Sequence, residues 1–161
     1  MKVSGVEASV QHWSGLDKPV DLVLLFDVLI HVKRADRQAL FQRLFTQLLA
    51  PNGVVIVITE NYSPTCGLLL VMERLGHPLE VSYPEAEKDM LAAGFTLEYT
   101  QEIMGSQDFT NPSEDLIKFF QLCSHNKSTE QEVRAAIADV AGPNSQSDLS
   151  KKMGIFRKKP Q

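Results

Sequence analysis

Cysteine is scarce in this 161-residue chain, which has only Cys66 and Cys123, with no paired spacing and no ligand-like histidines near them. Two isolated thiols argue against a disulfide framework or a zinc module and fit a reducing compartment. Long apolar runs are missing too. No segment approaches the roughly 20 residues of a membrane span, and Met1 to Gly15 has no apolar core of signal-peptide length. Massed basic charge is also lacking: the net charge is -4, and Lys and Arg are dispersed except at Lys151, Lys152, Arg157, Lys158 and Lys159. That tail group reads as the solvated flanks of a last strand. Neither nucleic acid nor a membrane surface is expected as a partner, and the expected location is the cytoplasm. There is no internal repeat and no low-complexity segment. With 43% hydrophobic residues, the chain fits a single domain over 1–161 with a real core.

What is present centres on Asp21 to Val32. Its near-continuous apolar run predicts a strand buried on both faces, as in a parallel sheet covered by helices. From Asp36, a candidate cap, Leu40, Phe41, Leu44, Phe45, Leu48 and Leu49 repeat at helical spacing until Pro51-Asn52-Gly53. Val54 to Ile58 is β-branched almost throughout and predicts a central strand. Strand, helix and strand make a βαβ unit over 20–60, after a leading loop over 1–19.

The rest, 61–161, reads as helical insertions and C-terminal strands. A short helix over 68–75 is closed by Gly76. Ser82-Tyr83-Pro84-Glu85 is a capping box that opens a helix ending at Gly94. Phe95, Leu97 and Tyr99 alternate as a strand. Asn111-Pro112-Ser113-Glu114 and Ser128-Thr129-Glu130-Gln131 open two more helices, and Met153 to Phe156 is a final short strand. In an open parallel sheet, ligands bind beyond the carboxyl ends of the strands, which directs attention to Phe26, Asp27, Val28, Thr59 and Glu60.

This order of elements, with Asp21 to Val32 and the turn Leu-Ala-Pro-Asn-Gly53, resembles the second half of class I S-adenosylmethionine-dependent methyltransferases. Asn52 stands where their Leu-X-Pro-Gly-Gly phrase has its first glycine. Leu-Ile-His-Val-Lys33 and Gly105-Ser-Gln-Asp-Phe109 are similar to the histamine N-methyltransferase family, over nearly the whole chain. The resemblance implies an α/β, three-layer Rossmann-like methyltransferase fold, here a truncated mixed sheet of about four strands with helical insertions. It also implies methyl transfer from S-adenosylmethionine to a small amine such as histamine. By position it puts Phe26 and Ser14 against the cofactor, Asp27 at the amine, and Leu68, Met72 and Phe120 in the substrate pocket, with no metal.

The first half of that family is absent. No Gly-X-Gly turn follows a strand and opens a helix, and no acid follows a second strand to hold ribose hydroxyls. The family's amine-holding polar residue on the last strand has no clear match in Ser150-Lys-Lys-Met-Gly154. Losing the strand that pairs with Asp21 to Phe26 would bare an edge, so a homodimer through the 21–27 edge is expected. Two function classes remain: an amine N-methyltransferase, or a non-catalytic remnant that dimerises or binds another chain.

Each singled-out residue has two readings. Asp27 orients an amine or caps a turn. His31 is a base or, more commonly for its context, a packed or surface residue. His12 and Trp13 stack on adenine or fold onto the core. One of Phe119 and Phe120 is core and the other a pocket wall. Glu60 and Tyr62 border a pocket or belong to an ordinary polar loop. Neither cysteine has a catalytic setting.

Overall fold

The computed structural model describes residues 18–61, 67–78, 81–141 and 146–159. Its elements are β1 (Val20–Phe26), α1 (Arg34–Arg43), β2 (Leu49–Glu60), α2 (Gly67–Arg74), α3 (Tyr83–Ala92), β3 (Phe95–Asp108), α4 (Glu114–Cys123), α5 (Glu130–Ala141) and β4 (Gln146–Lys158). They form one mixed sheet in the order β1-β2-β4-β3, in which β1 and β2 run parallel and β4 is antiparallel to both its neighbours. This is the truncated Rossmann-like α/β fold that the order of elements implied, with α4 and α5 inserted between the last two strands.

Two hydrophobic clusters hold it together. In the first, α1, the π-helical turn Leu44–Leu48 that continues it, and α3 lay Phe41, Leu44, Phe45, Ala86 and Met90 over Leu25, Val55, Val57 and Phe156 on one sheet face. In the second, α2, α4 and α5 pack Leu68, Val71, Met72, Ile117, Phe120, Val133 and Ile137 together with Phe109. The sheet face takes Tyr83 against Gly154, where an added Cβ would lie 2.2 Å from the tyrosine hydroxyl. Backbone passes so close there that any side chain would collide.

Local signals are partly as expected. Gly76, at φ 72°, closes α2, and His77 N–H donates to the Met72 carbonyl at 2.9 Å, the six-to-one bond of a Schellman motif. The Glu85 carboxylate accepts from the Ser82 amide at 3.2 Å, and the Ser113 hydroxyl accepts from Leu116 N–H at 3.2 Å. At α5 the cap lies one residue later than the sequence phrase placed it. Thr129 is the capping residue, and it exchanges bonds with Glu132: the Thr129 amide donates to the carboxylate at 2.7 Å and the Glu132 amide donates to the hydroxyl at 3.3 Å. Asp36 is no cap; α1 starts after Lys33 and holds Asp36 in its first turn, beside the positive end of the helix. Asn52 adopts φ 65°, a left-handed conformation that asparagine tolerates and that a glycine would take without cost. Around it Val20 pairs with Leu49 and Leu22 with Val54, so 50–53 bulge out of the ladder.

Three expectations are corrected. The strand Val20–Phe26 is not buried on both faces: it is the edge of the sheet, with Leu22, Leu24 and Phe26 more than half exposed. Both C-terminal strands are far longer than their apolar cores, since polar residues pair along β3 and β4 as regularly as apolar ones. The Lys151 end of the tail group is partly buried rather than solvated. The expected leading-loop residues His12, Trp13 and Ser14, and also Tyr62 and Cys66, lie outside the described residues. Among the described residues no helix is long and apolar enough to cross a membrane.

One buried ion pair escaped the sequence pattern. Arg37 on α1 is fully buried, and its Nε donates to Asp89 Oδ2 on α3 at 2.7 Å. It joins the two helices that cover the sheet. Removing one member of such a pair strands the other in low dielectric, so Asp89→Ala is expected to cost about 3–5 kcal/mol in urea unfolding. A cost under about 1 kcal/mol would show that the pair contributes little to holding α1 and α3 in place.

Candidate functional site

The parallel strands β1 and β2 end side by side, and the chain turns sharply after β1. Asp27 adopts φ 51°, a conformation that few non-glycine residues hold, and its amide donates to the Ile58 carbonyl at 3.0 Å. This bond pins the first residue after β1 to β2 and sets the Asp27 carboxylate at the carboxyl end of the sheet. One step beyond on β2, Glu60 pairs in register with Lys151 of β4. Three strands thereby deliver three charged groups to one spot.

Lys151 binds both acids. Its ammonium hydrogen-bonds Asp27 Oδ2 and lies 3.4 Å from Glu60 Oε1, while sitting 5.2 Å from the centre of the Phe26 ring. Burial works to lower the Lys151 pKa, but the bonds and charges of Asp27 and Glu60 outweigh it and the value is raised. Burial pushes the Glu60 carboxyl above its ordinary value against the pull of Lys151, with the Asp27 charge adding to the rise. With two acids and one base ionised, the cluster carries one net negative charge. Glu60 Oε2 and Asp27 Oδ1 are buried without a hydrogen-bond partner, although the Glu60 side chain is only 2% exposed. Such orphaned acceptors cost free energy unless something donates to them.

Glu60 and Lys151 open onto a cavity of about 300 Å³ whose other walls are Leu68, Phe109, Ser113, Leu116, Phe119 and Phe120, with Asp115 at its margin. It is a mostly apolar chamber with an acid at one end, the usual build of a small-molecule site. A larger cavity, about 400 Å³, is lined by α2, α5 and the loops flanking them, with Arg74, Lys127, Glu132 and Asp139; no strand end contributes to it.

The structure thus brings together Phe26, Asp27, Leu68 and Phe120. Met72 is fully buried in the same cluster as Leu68 and Phe120 but does not line the chamber. Ser14 lies outside the described residues. Glu60 belongs to the chamber rather than to a polar loop. Lys151 was missed because its neighbours Lys152, Arg157 and Lys158 look like a solvated group; only pairing with the strand that carries Glu60 distinguishes it. Both Phe119 and Phe120 face the chamber, and their rings meet edge to face at 5.6 Å. His31 lies 5.7 Å from His125, ring to ring, and burial together with the His125 charge lowers its pKa. Burial pushes the Cys123 thiol up to about 11, which leaves no thiolate for nucleophilic work near neutrality. Among the described residues no group of three or more His, Cys, Asp or Glu could hold a metal ion.

The chain matches solved structures along almost its whole length. A candidate methyltransferase from Bacillus halodurans C-125 aligns with a TM-score of 0.69 at 14% identity, over 96% of this chain and 71% of its own. The fold is that of the methyltransferases. The N-methyltransferase NodS from Bradyrhizobium japonicum WM9, solved with S-adenosyl-L-homocysteine, aligns with a TM-score of 0.53 at 12% identity, over 96% of this chain and 53% of NodS. An S-adenosylmethionine-dependent methyltransferase from Archaeoglobus fulgidus gives 0.52 at 14% identity, over 95% of this chain and 66% of its own. This chain therefore spans about half to seven tenths of the structures it resembles. No protein-family model matches it, and no curated protein matches it.

Against an adenosine cofactor, the residues present make one wall only. The exposed Phe26 ring and the partnerless Asp27 Oδ1 are suitably placed at the end of β1, but no glycine-rich turn or ribose-binding acid stands beside them in the sequence. The described residues do not by themselves form the cradle.

The ion cluster makes stability pH-dependent in a defined direction. Lys151→Met would leave Glu60 beside Asp27 with no cation, removing the charge that opposes its burial and raising the Glu60 pKa further. A group whose native pKa is raised favours the folded state when protonated and loses that advantage as pH rises through it. The variant should therefore unfold at lower urea than the parent by a margin larger at pH 8 than at pH 5. Equal margins at the two pH values would exclude the coupling.

Proposed function

We propose that this chain forms the amine-binding half of an S-adenosylmethionine-dependent N-methyltransferase acting on a small amine such as histamine. The observation that carries the reading is the Glu60 carboxylate: its Oε2 is buried, partnerless and set at the end of an aromatic chamber, in a cluster that holds one more acid than base. One amine or ammonium is the complement of that arrangement. It would donate to Glu60 Oε2 and lie against the faces of Phe119 and Phe120, which favour a cation.

The chain's share of such a reaction is to bind, orient and take up a proton. A nitrogen must be neutral to accept a methyl group, and a carboxylate whose basicity burial has raised is suited to receive the proton that the ammonium sheds. Asp27 holds Lys151 in place, and Lys151 keeps Glu60 ionised until the amine arrives. The fold resemblance supports S-adenosylmethionine as the methyl donor; the missing glycine-rich turn means that further polypeptide would complete its cradle. The non-catalytic alternative has its own support in the bare sheet face, a feature distinct from this chamber.

Calorimetric titration of the full chain with histamine, and separately with S-adenosylmethionine, tests the reading. Histamine is expected to bind, and Glu60→Gln, which keeps the shape and removes the charge, to weaken it at least tenfold. The same variant should melt higher than the parent at pH 8, because it removes a buried acid whose native pKa is raised. Histamine binding that is absent, or unchanged by Glu60→Gln, would sink the amine assignment while leaving the fold untouched.

A further inference from the structure

Strand pairing sets Leu22, Leu24 and Phe26 of β1 in line with Val54, Ile56 and Ile58 of β2, and these in turn with Arg157, Ile155 and Met153 of β4. On β3, Tyr99 pairs with Ile155 and Ile103 with Lys151. Residues in register share a face, so these side chains make a largely apolar field that crosses the sheet from edge to edge, with the polar Gln101, paired with Met153, between Tyr99 and Ile103. Leu22, Leu24, Phe26, Tyr99 and Ile103 are 57%, 58%, 55%, 49% and 41% exposed, and the five apolar residues between them on β2 and β4 are half-buried. The opposite face carries the helices α1 and α3. Among the described residues, nothing covers this one. Monomeric proteins seldom expose an apolar patch of more than a few hundred Å².

We infer that this face packs against the same face of a second copy, sheet on sheet, with the helices outermost. Area is the first argument. At roughly 100 Å² for each of the five exposed side chains, plus the half-buried residues between them, each copy would contribute roughly 800 Å², the share of one partner in a standard stable interface. Charge is the second. The two cations at the margins of the field are already matched within the chain, Arg157 by Glu98 at 2.5 Å and Lys151 by Asp27 and Glu60, so two such faces meet without bringing unpaired like charges together. Twisted sheets stack in this way about 10 Å apart, with strands within roughly 30° of one another.

Pairing through the outer edge of β1, over 21–27, would satisfy free amides but would not cover the field. A strand paired antiparallel with itself has its two-fold axis perpendicular to the sheet, which leaves both apolar faces bare on the same side. The partner expected from the sequence, a second copy, is kept; the contact moves from the backbone edge of β1 to its outward side chains. This inference does not depend on the amine reading: of the residues that line the chamber it involves only Glu60 and Lys151, as a pair already matched within the chain.

Light scattering on the eluting full chain tests it. The expected mass is twice the 18.0 kDa of one chain. Leu24→Glu should convert the dimer to monomer at micromolar concentration with an unchanged far-ultraviolet spectrum, as suits a side chain already more than half exposed. Tyr99→Glu, on the other edge strand, should weaken the dimer at least tenfold. A parent chain that elutes as a monomer or as higher assemblies would overturn the inference. So would a dimer indifferent to Tyr99→Glu, which is the outcome for pairing through the β1 edge, since β3 lies three strands away.

Discussion

Lys151 is the point on which the functional end of this protein turns. A single ammonium holds the carboxylates that finish β1 and β2, and it reaches them only because β4 runs antiparallel beside β2 and brings residue 151 opposite residue 60. The same ammonium leaves one oxygen of each acid without a donor and opposes the rise that burial gives the Glu60 pKa. Charge, strand order and the aromatic chamber are therefore one arrangement.

How much of this could be read from residues alone depended on the range of the interaction. Helix ends carry their own chemistry within four residues, and Gly76, Ser82 and Ser113 announced them; the one-residue error at Thr129 arose because Ser128 and Thr129 offer equivalent hydroxyls and only the reach of Glu132 decides between them. The βαβ core was legible from β-branched and helical periodicity. The full lengths of β3 and β4 were not, because beyond Tyr99 and before Met153 the residues are polar and their pairing depends on each other. In the sequence Lys151 reads as a solvated charge, Glu60 fits either a pocket or a polar loop, and nothing in the pattern singles out Arg37. Their partners lie 52, 91 and 124 positions away, farther than any periodic signal extends.

The apolar richness of β1 also misled in an instructive way. A continuous hydrophobic run implies two faces that need covering, and the sequence does encode that need; the described residues supply one cover, α1 with α3, and leave the second side of Leu22, Leu24 and Phe26 open. Sequence pattern records the environment that a strand requires rather than the one that a single chain provides. The likeness to longer methyltransferase structures and the bare face express the same incompleteness at two scales.

The position of β4 has a consequence for how the chain assembles. It is the last strand in sequence, yet it lies in the interior of the sheet, between β2 and β3. β1 and β2 can pair with each other as they emerge, but β3 follows them in sequence and has no neighbour until β4 is made. Closure of the sheet therefore waits for β4 and is dominated by contacts remote in sequence, which is a slow topology. While it waits, the nascent chain displays the unpaired β3 and the open edge of β2, a state that favours capture by any polypeptide offering a complementary strand.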